Sequence, residues 1–121
     1  MTARLSATLL PPLPSAATIR PGDEPVMVQV PQGGSVREGS SEVSLHVEEA
    51  GSYRIDARSP DADHDAELQL IRDGALLQSD ADAGDGTDAR IVRALEPGDY
   101  RVRVHDYANR SGTLLVQAVP E

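Results

Sequence analysis

From Val26 to Ala118, apolar side chains recur at every second position. Val26, Val28 and Val30 flank Met27 and Gln29; Val43, Leu45 and Val47 flank Ser44 and His46; Tyr53, Ile55 and Ala57 flank Arg54 and Asp56. Leu68 and Leu70 bracket Gln69, Ala75-Leu76-Leu77 follows a turn, and Tyr100, Val102 and Val104 alternate with Arg101 and Arg103. Leu114, Val116 and Ala118 close the series. A period of two buries one face of a strand and leaves the other wet. Between the runs stand Gly33-Gly34, Asp73-Gly74, Pro97-Gly98 and Ser111-Gly112, residues that turn the chain. About eight short strands punctuated in this way predict an all-β domain, an antiparallel β-sandwich with a jelly-roll-like arrangement.

The turns have individual reasons. Asp73-Gly74 suits a tight hairpin. Pro97 presets a turn φ, and Gly98 accepts a positive φ before the chain reverses into the Tyr100 strand. The segment from Asp88 to Leu95 admits either phase because Ile91 and Val92 are adjacent, and a bulge there would reconcile the two. The expected core contains Tyr53, Ile55, Leu68, Leu70, Tyr100, Val102, Val104 and Val116.

The chain of 121 residues suits one domain. Residues 1–17 are rich in Pro, Ala, Ser and Thr and lack periodicity, which predicts a flexible leader or linker ahead of a single domain over 18–121. Pro11, Pro12 and Pro14 break the apolar stretch too early for a good signal-peptide core. No apolar run reaches the ~20 residues that span a bilayer, so membrane insertion is not expected.

Composition narrows the picture. Phe and Trp are absent and there are three Tyr, so the core is aliphatic and an aromatic ligand platform has little material. Without Cys there is no disulfide framework and no thiolate chemistry. Twenty acidic residues against eleven basic ones give a net charge of −9, which repels nucleic acid and anionic membranes.

Taken in order, Ala50-Gly51-Ser52-Tyr53-Arg54-Ile55, Asp65-Ala66-Glu67-Leu68-Gln69-Leu70, Asp73-Gly74, Leu95-Glu96-Pro97-Gly98-Asp99-Tyr100-Arg101-Val102 and Ser111-Gly112 make a recognisable series. Residues 18–119 resemble the bacterial pre-peptidase C-terminal domain, a β-sandwich module appended to secreted peptidases and other exported proteins. The resemblance implies a secreted or periplasmic setting and a non-catalytic accessory role, and some members of that family bind calcium.

The acidic residues supply the candidate chemistry. Asp61, Asp63, Asp65 and Glu67 lie in one loop region, and Asp80, Asp82, Asp85 and Asp88 in the next. Oxygen ligands on Gly-rich turns are what calcium requires. The metal-site candidates are therefore Asp80, Asp82, Asp85 and Asp88, followed by Asp61, Asp63 and Asp65; the plainer expectation is a pair of solvated acidic turns. His46 and His105 fall on outward strand positions, where solvation is expected, and His64 has no second His at metal-ligand spacing. Arg54, Arg58, Arg101 and Arg103 would form a basic strip for an acidic partner if their two strands shared a sheet; cross-strand pairing with Asp56 and Glu67 is the alternative. No Gly-x-Ser-x-Gly stretch is present, and no catalytic constellation stands out. The expected function is a monomeric accessory module that binds a protein or an extracellular polymer. A carbohydrate-binding module and a structural or assembly domain are the alternatives.

Overall fold

The computed structural model describes residues 15–33, 39–60, 64–81 and 88–121. Nine strands occupy them: β1 (Ser15–Ile19), β2 (Val26–Val30), β3 (Ser40–Val47), β4 (Gly51–Arg58), β5 (Ala66–Arg72), β6 (Ala75–Asp80), β7 (Ala89–Leu95), β8 (Gly98–Asp106) and β9 (Gly112–Pro120). They form a five-stranded sheet in the order β1-β3-β8-β5-β6 and a four-stranded sheet in the order β2-β9-β4-β7. All pairs are antiparallel except β1 with β3. The expected all-β sandwich is thus observed, with β1 as a ninth strand. Ile19 anchors β1 in the core. The strand takes in the last three residues of the expected leader, whose first fourteen lie outside the described residues.

All eight expected core side chains are buried between the two sheets. The ambiguous segment resolves without a bulge: Ala89, Ile91 and Leu95 face inward, Val92 is 46% exposed, and β7 pairs with β4 in unbroken register. Irregularities fall instead between Ser15 and Thr18, where β1 meets β3, and between Leu70 and Ile71, where β5 meets β6 and both side chains stay buried.

The turns follow their chemistry. Asp73 (φ 53°) and Gly74 (φ 78°) both take the positive φ that a two-residue hairpin of matching twist demands. Gly98 has φ 142°, so the backbone calls for glycine, and a Cβ there would also displace Arg72 Nη2, 2.8 Å away.

Two connections carry the chain from one sheet to the other in matching ways. β3 crosses to β4 through Glu49-Ala50-Gly51-Ser52-Tyr53, and β7 crosses to β8 through Glu96-Pro97-Gly98-Asp99-Tyr100. In each, the tyrosine hydroxyl donates to the carbonyl four residues back: Tyr53 to Glu49 at 2.5 Å and Tyr100 to Glu96 at 2.7 Å. The Tyr100 oxygen also accepts from Glu96 N–H at 3.0 Å and from Arg72 Nη1 at 2.9 Å. These are tyrosine corners: the ring fills the core while its hydroxyl fixes the bend. β3 pairs with β8 and β4 with β7, so the two crossings lie side by side.

The open side between β6 and β7, one edge from each sheet, is laced by side chains. Arg90 N–H donates to Asp80 Oδ2 at 3.0 Å. Arg93 Nη1 donates to the Leu77 carbonyl at 3.1 Å and to Gln78 Oε1 at 3.3 Å. Such contacts occupy edge groups that would otherwise invite another strand.

Tyr100→Phe leaves three polar groups short of a partner and is expected to cost about 1–3 kcal/mol in urea unfolding. Tyr53→Phe, which removes one bond, should cost less. Equal and negligible losses from both would show that the corners do not hold the bends.

Candidate functional site

The strands that bound the two acidic loops end at the same end of the sandwich: Ala57 pairs with Ala89, Leu68 with Asp80, and Ala66 with Asp106. Among the predicted ligands, Asp61, Asp63, Asp82 and Asp85 lie outside the described residues. Asp80 terminates β6 and accepts the Arg90 N–H. Asp65 N–H donates to Asp106 Oδ1 at 2.9 Å. Asp88 stands beside Arg58 and Arg90. Among the described residues, no three His, Cys, Asp or Glu side chains gather as a metal site would require.

The organising group at this end is Asp106, fully buried at the last position of β8. Its Oδ1 accepts from Asp65 N and Arg110 Nη2 (3.0 Å). Its Oδ2 accepts from Ala108 N (3.0 Å), Arg110 N (3.1 Å) and Arg110 Nε (2.9 Å). Burial alone would raise its pKa; the hydrogen bonds from Arg110 and Asp65, with the Arg110 charge, outweigh burial and hold the carboxyl well below the usual carboxylate range. Nearby, His64 Nε2 lies 2.7 Å from the Ser111 carbonyl oxygen, which makes Nε2 the protonated nitrogen. Its ring lies where a Cβ at Gly112 would stand. Gly112 is therefore required by the approach of His64, and this arrangement commits His64 Nε2 to the backbone.

The outer face of the five-stranded sheet departs from expectation. Glu42, 1% exposed, sits directly across from Arg103, 3% exposed. Glu42 Oε2 accepts from Arg103 Nη2 at 2.6 Å, from Arg103 Nε at 3.0 Å and from Arg101 Nη1 at 3.1 Å. This is a buried, hydrogen-bonded ion triad, costly to break because losing one partner strands a charge. His105, expected to be solvated, is 2% exposed on the same face, and its Nε2 lies 3.1 Å from Glu67 Oε2. Burial pushes the His105 pKa down against the raising influence of Glu67 and Asp106. A neutral ring donates from Nε2 to Glu67, and Nδ1, which has no hydrogen-bond partner, then needs no proton. His46 does keep to the surface, with Nδ1 2.6 Å from Asp99 Oδ1.

The basic strip expected from Arg54, Arg58, Arg101 and Arg103 does not form, because β4 and β8 belong to different sheets. Arg101 and Arg103 turn to Glu42. Arg54 and Arg58 are joined instead by Arg90 of β7 on the outer face of the four-stranded sheet. Asp56 accepts from Arg54 Nε at 2.8 Å within β4 and from Arg90 Nε at 2.6 Å across to β7, so the cross-strand partner of Asp56 is Arg90 and none of the four expected arginines. Arg90 belongs to this group because the phase of β7 turns it outward, opposite Asp56.

Acid should weaken the fold in two limbs. A group whose folded pKa is depressed contributes stability above its unfolded pKa and loses it as pH falls toward the folded value. His105 therefore acts below pH ~6.5 and Asp106 below pH ~3.9. Unfolding free energies measured across pH are expected to fall through both windows, and His105→Gln should remove the upper limb alone. Asp106→Asn is expected to cost about 3 kcal/mol at neutral pH; a loss below ~1 kcal/mol would show that Arg110 is not anchored as described.

No family model matches the chain, and no curated protein does. Among solved structures, the pre-peptidase C-terminal domain of a collagenase from Bacillus anthracis superposes with a TM-score of 0.62 at 16% identity, covering 89% of this chain and 99% of that one. A periplasmic inhibitor of g-type lysozyme from Aeromonas hydrophila is more distant, with a TM-score of 0.42 at 13% identity over 84% of this chain and 96% of that one. The chain also aligns with 13% of a β-glucosidase from Paenibacillus barengoltzii, with a TM-score of 0.33 at 14% identity over 89% of this chain. The fold of this chain is that of a pre-peptidase C-terminal domain, as the strand and turn order of residues 18–119 implies.

Proposed function

We propose that this chain is a non-catalytic accessory module of an exported protein, binding a partner protein or an extracellular polymer on behalf of a larger assembly. The observation that carries this reading is the match of nearly the whole chain to an accessory-type sandwich. Local chemistry supports it. The buried ionic groups Glu42, Arg103 and Asp106 are all engaged in internal hydrogen bonds, so they brace strands and leave little freedom for acid–base work. A sugar-binding role has less behind it: Tyr53 and Tyr100 point into the core, and Tyr107, 67% exposed, is the one tyrosine left to stack on a ring. The purified chain should be retained on at least one of a panel of insoluble protein fibres, cellulose, chitin and cell-wall material, without cleaving peptide, ester or glycoside substrates. Turnover that copurifies with the folded chain and disappears on unfolding would overturn the reading.

Calcium dependence belongs to the same reading, supported by the shared end at which both acidic loops leave the sandwich. Clustered carboxylates repel one another, and a divalent cation relieves that repulsion. Calcium at fixed ionic strength should then raise the melting temperature, with a gain of about 2.7 kcal/mol at a hundredfold excess over Kd. Asp82→Asn should remove the gain without unfolding the domain. An equal response to magnesium, or none to calcium, would return both loops to acidic turns.

A further inference from the structure

The outer face of the four-stranded sheet can be read row by row from the strand register. Met27, Leu115 and Arg58 form one row; Gln117, Asp56 and Arg90 the next; Val119, Arg54 and Val92 the third. No third layer covers it among the described residues: Met27 is 73% exposed and Val92 46%. The face therefore interleaves aliphatic side chains with three arginines, a composition that favours contact with proteins.

Charge gives the partner its sign. The strands present three guanidinium groups and one carboxylate on this face, in a chain whose net charge is −9. A small cleft of about 100 Å³ is walled by Arg54, Asp56, Arg58, Asp88, Arg90 and Gln117. Asp56, 15% exposed, accepts the Nε protons of Arg54 and Arg90, which fixes those two side chains against the sheet. Arg58 is exposed and makes no ion pair or hydrogen bond among the described residues. A carboxylate entering the cleft meets two arginines already held in place and a third able to close on it. Asp88 also lines the cleft, so three guanidinium groups face two carboxylates there, a small positive excess that suits one carboxylate better than a dense polyanion.

We propose that this face binds an extended, acidic and partly apolar segment of a partner protein, with one carboxylate seated among Arg54, Arg58 and Arg90. Apolar side chains of the segment then rest on Met27 and Leu115 at one end and on Val92 and Val119 at the other. The proposal rests on the accessory-module reading and assigns it a surface. A protein segment is favoured over an acidic polysaccharide because the face holds aliphatic side chains and no aromatic ring on which a sugar could stack. Four strands ~4.8 Å apart make a narrow platform, below the standard interface size, so binding is transient.

The test is an amide NMR titration of the full chain with an acetylated octapeptide alternating Glu and Leu. Saturable shifts are expected at residues 54–58, 88–92 and 115–119, weakening as salt rises. The peptide with Gln in place of Glu should bind at least about tenfold more weakly. Arg58→Glu should weaken binding by a similar factor at an unchanged melting temperature, whereas Arg20→Glu, outside the arginine cleft, should weaken it far less. Shifts that avoid these residues, or that survive Arg58→Glu, would overturn the proposal. Stronger binding of oligogalacturonate at the same residues would overturn the choice of a protein partner. If the chain is retained on one of the polymers above while the peptide leaves this face untouched, the accessory reading stands and this assignment falls.

Discussion

A two-layer sandwich requires the chain to leave one sheet and enter the other, and here two of those passages, β3 to β4 and β7 to β8, are each made rigid by a phenol. At Tyr53 and at Tyr100 one side chain does two incompatible-looking jobs. Its ring is buried with the core, while its hydroxyl reaches the backbone of the bend four residues earlier. The placement matters because the crossings feed the antiparallel pairs β3 with β8, inside one sheet, and β4 with β7, at the edge of the other. If either bend drifted, the register of a pair in each sheet would drift with it, and a one-residue slip exchanges core and surface faces. Arg72 reinforces the second crossing by bonding both Tyr100 and the Pro97 carbonyl, which ties the β5–β6 hairpin to the same bend.

The two outer faces then take different roles. On the five-stranded sheet, Glu42 and two arginines are gathered into a buried triad, with His105 and Glu67 beside it. Burying these charges gains little over an apolar core, but it punishes any pairing that leaves one of them alone. Registers that separate Glu42 from Arg103 are disfavoured for that reason. On the four-stranded sheet, Asp56 organises two arginines without removing them from solvent, and aliphatic side chains remain uncovered around them. Both faces pair their charges internally, but those of the four-stranded sheet stay partly open to solvent.

Much of this fold was legible in the alternation. Every expected core position is buried, because a period of two leaves no other assignment once one face is apolar. Asp73-Gly74 and Pro97-Gly98 announced their bends through φ requirements that few other residues meet. The failures share one cause: alternation says which face a residue occupies but not what lies next to it. His105 and Glu42 are on outward positions as their phase demands, yet they are buried by side chains from neighbouring strands. Arg101 and Arg103 carry the same phase as Arg54 and Arg58, and only the order of strands shows that they face opposite ways. Gly112 looked like a turn residue, whereas the ring of His64 is what excludes a side chain there. The repeated Glu-x-Gly-x-Tyr-Arg of the two crossings was open to view and is the signal from which Tyr53 and Tyr100 could have been paired in advance.

The acidity of the chain and its arginine-bearing sheet are best understood together. A strongly negative protein resists self-association and non-specific contact through long-range repulsion. Within ~8 Å at physiological salt, however, local charge outweighs the distant total. A small guanidinium cluster on an acidic body therefore acts only on a partner already close to it. A freely diffusing acidic peptide binds such a surface weakly and saturates it only at high concentration, whereas a segment tethered nearby has a raised effective concentration and needs only modest affinity. The accessory module proposed above, if joined to a larger protein, would be in that second situation. Under that proposal, a weak face on an otherwise repulsive surface limits contact to a partner held close by.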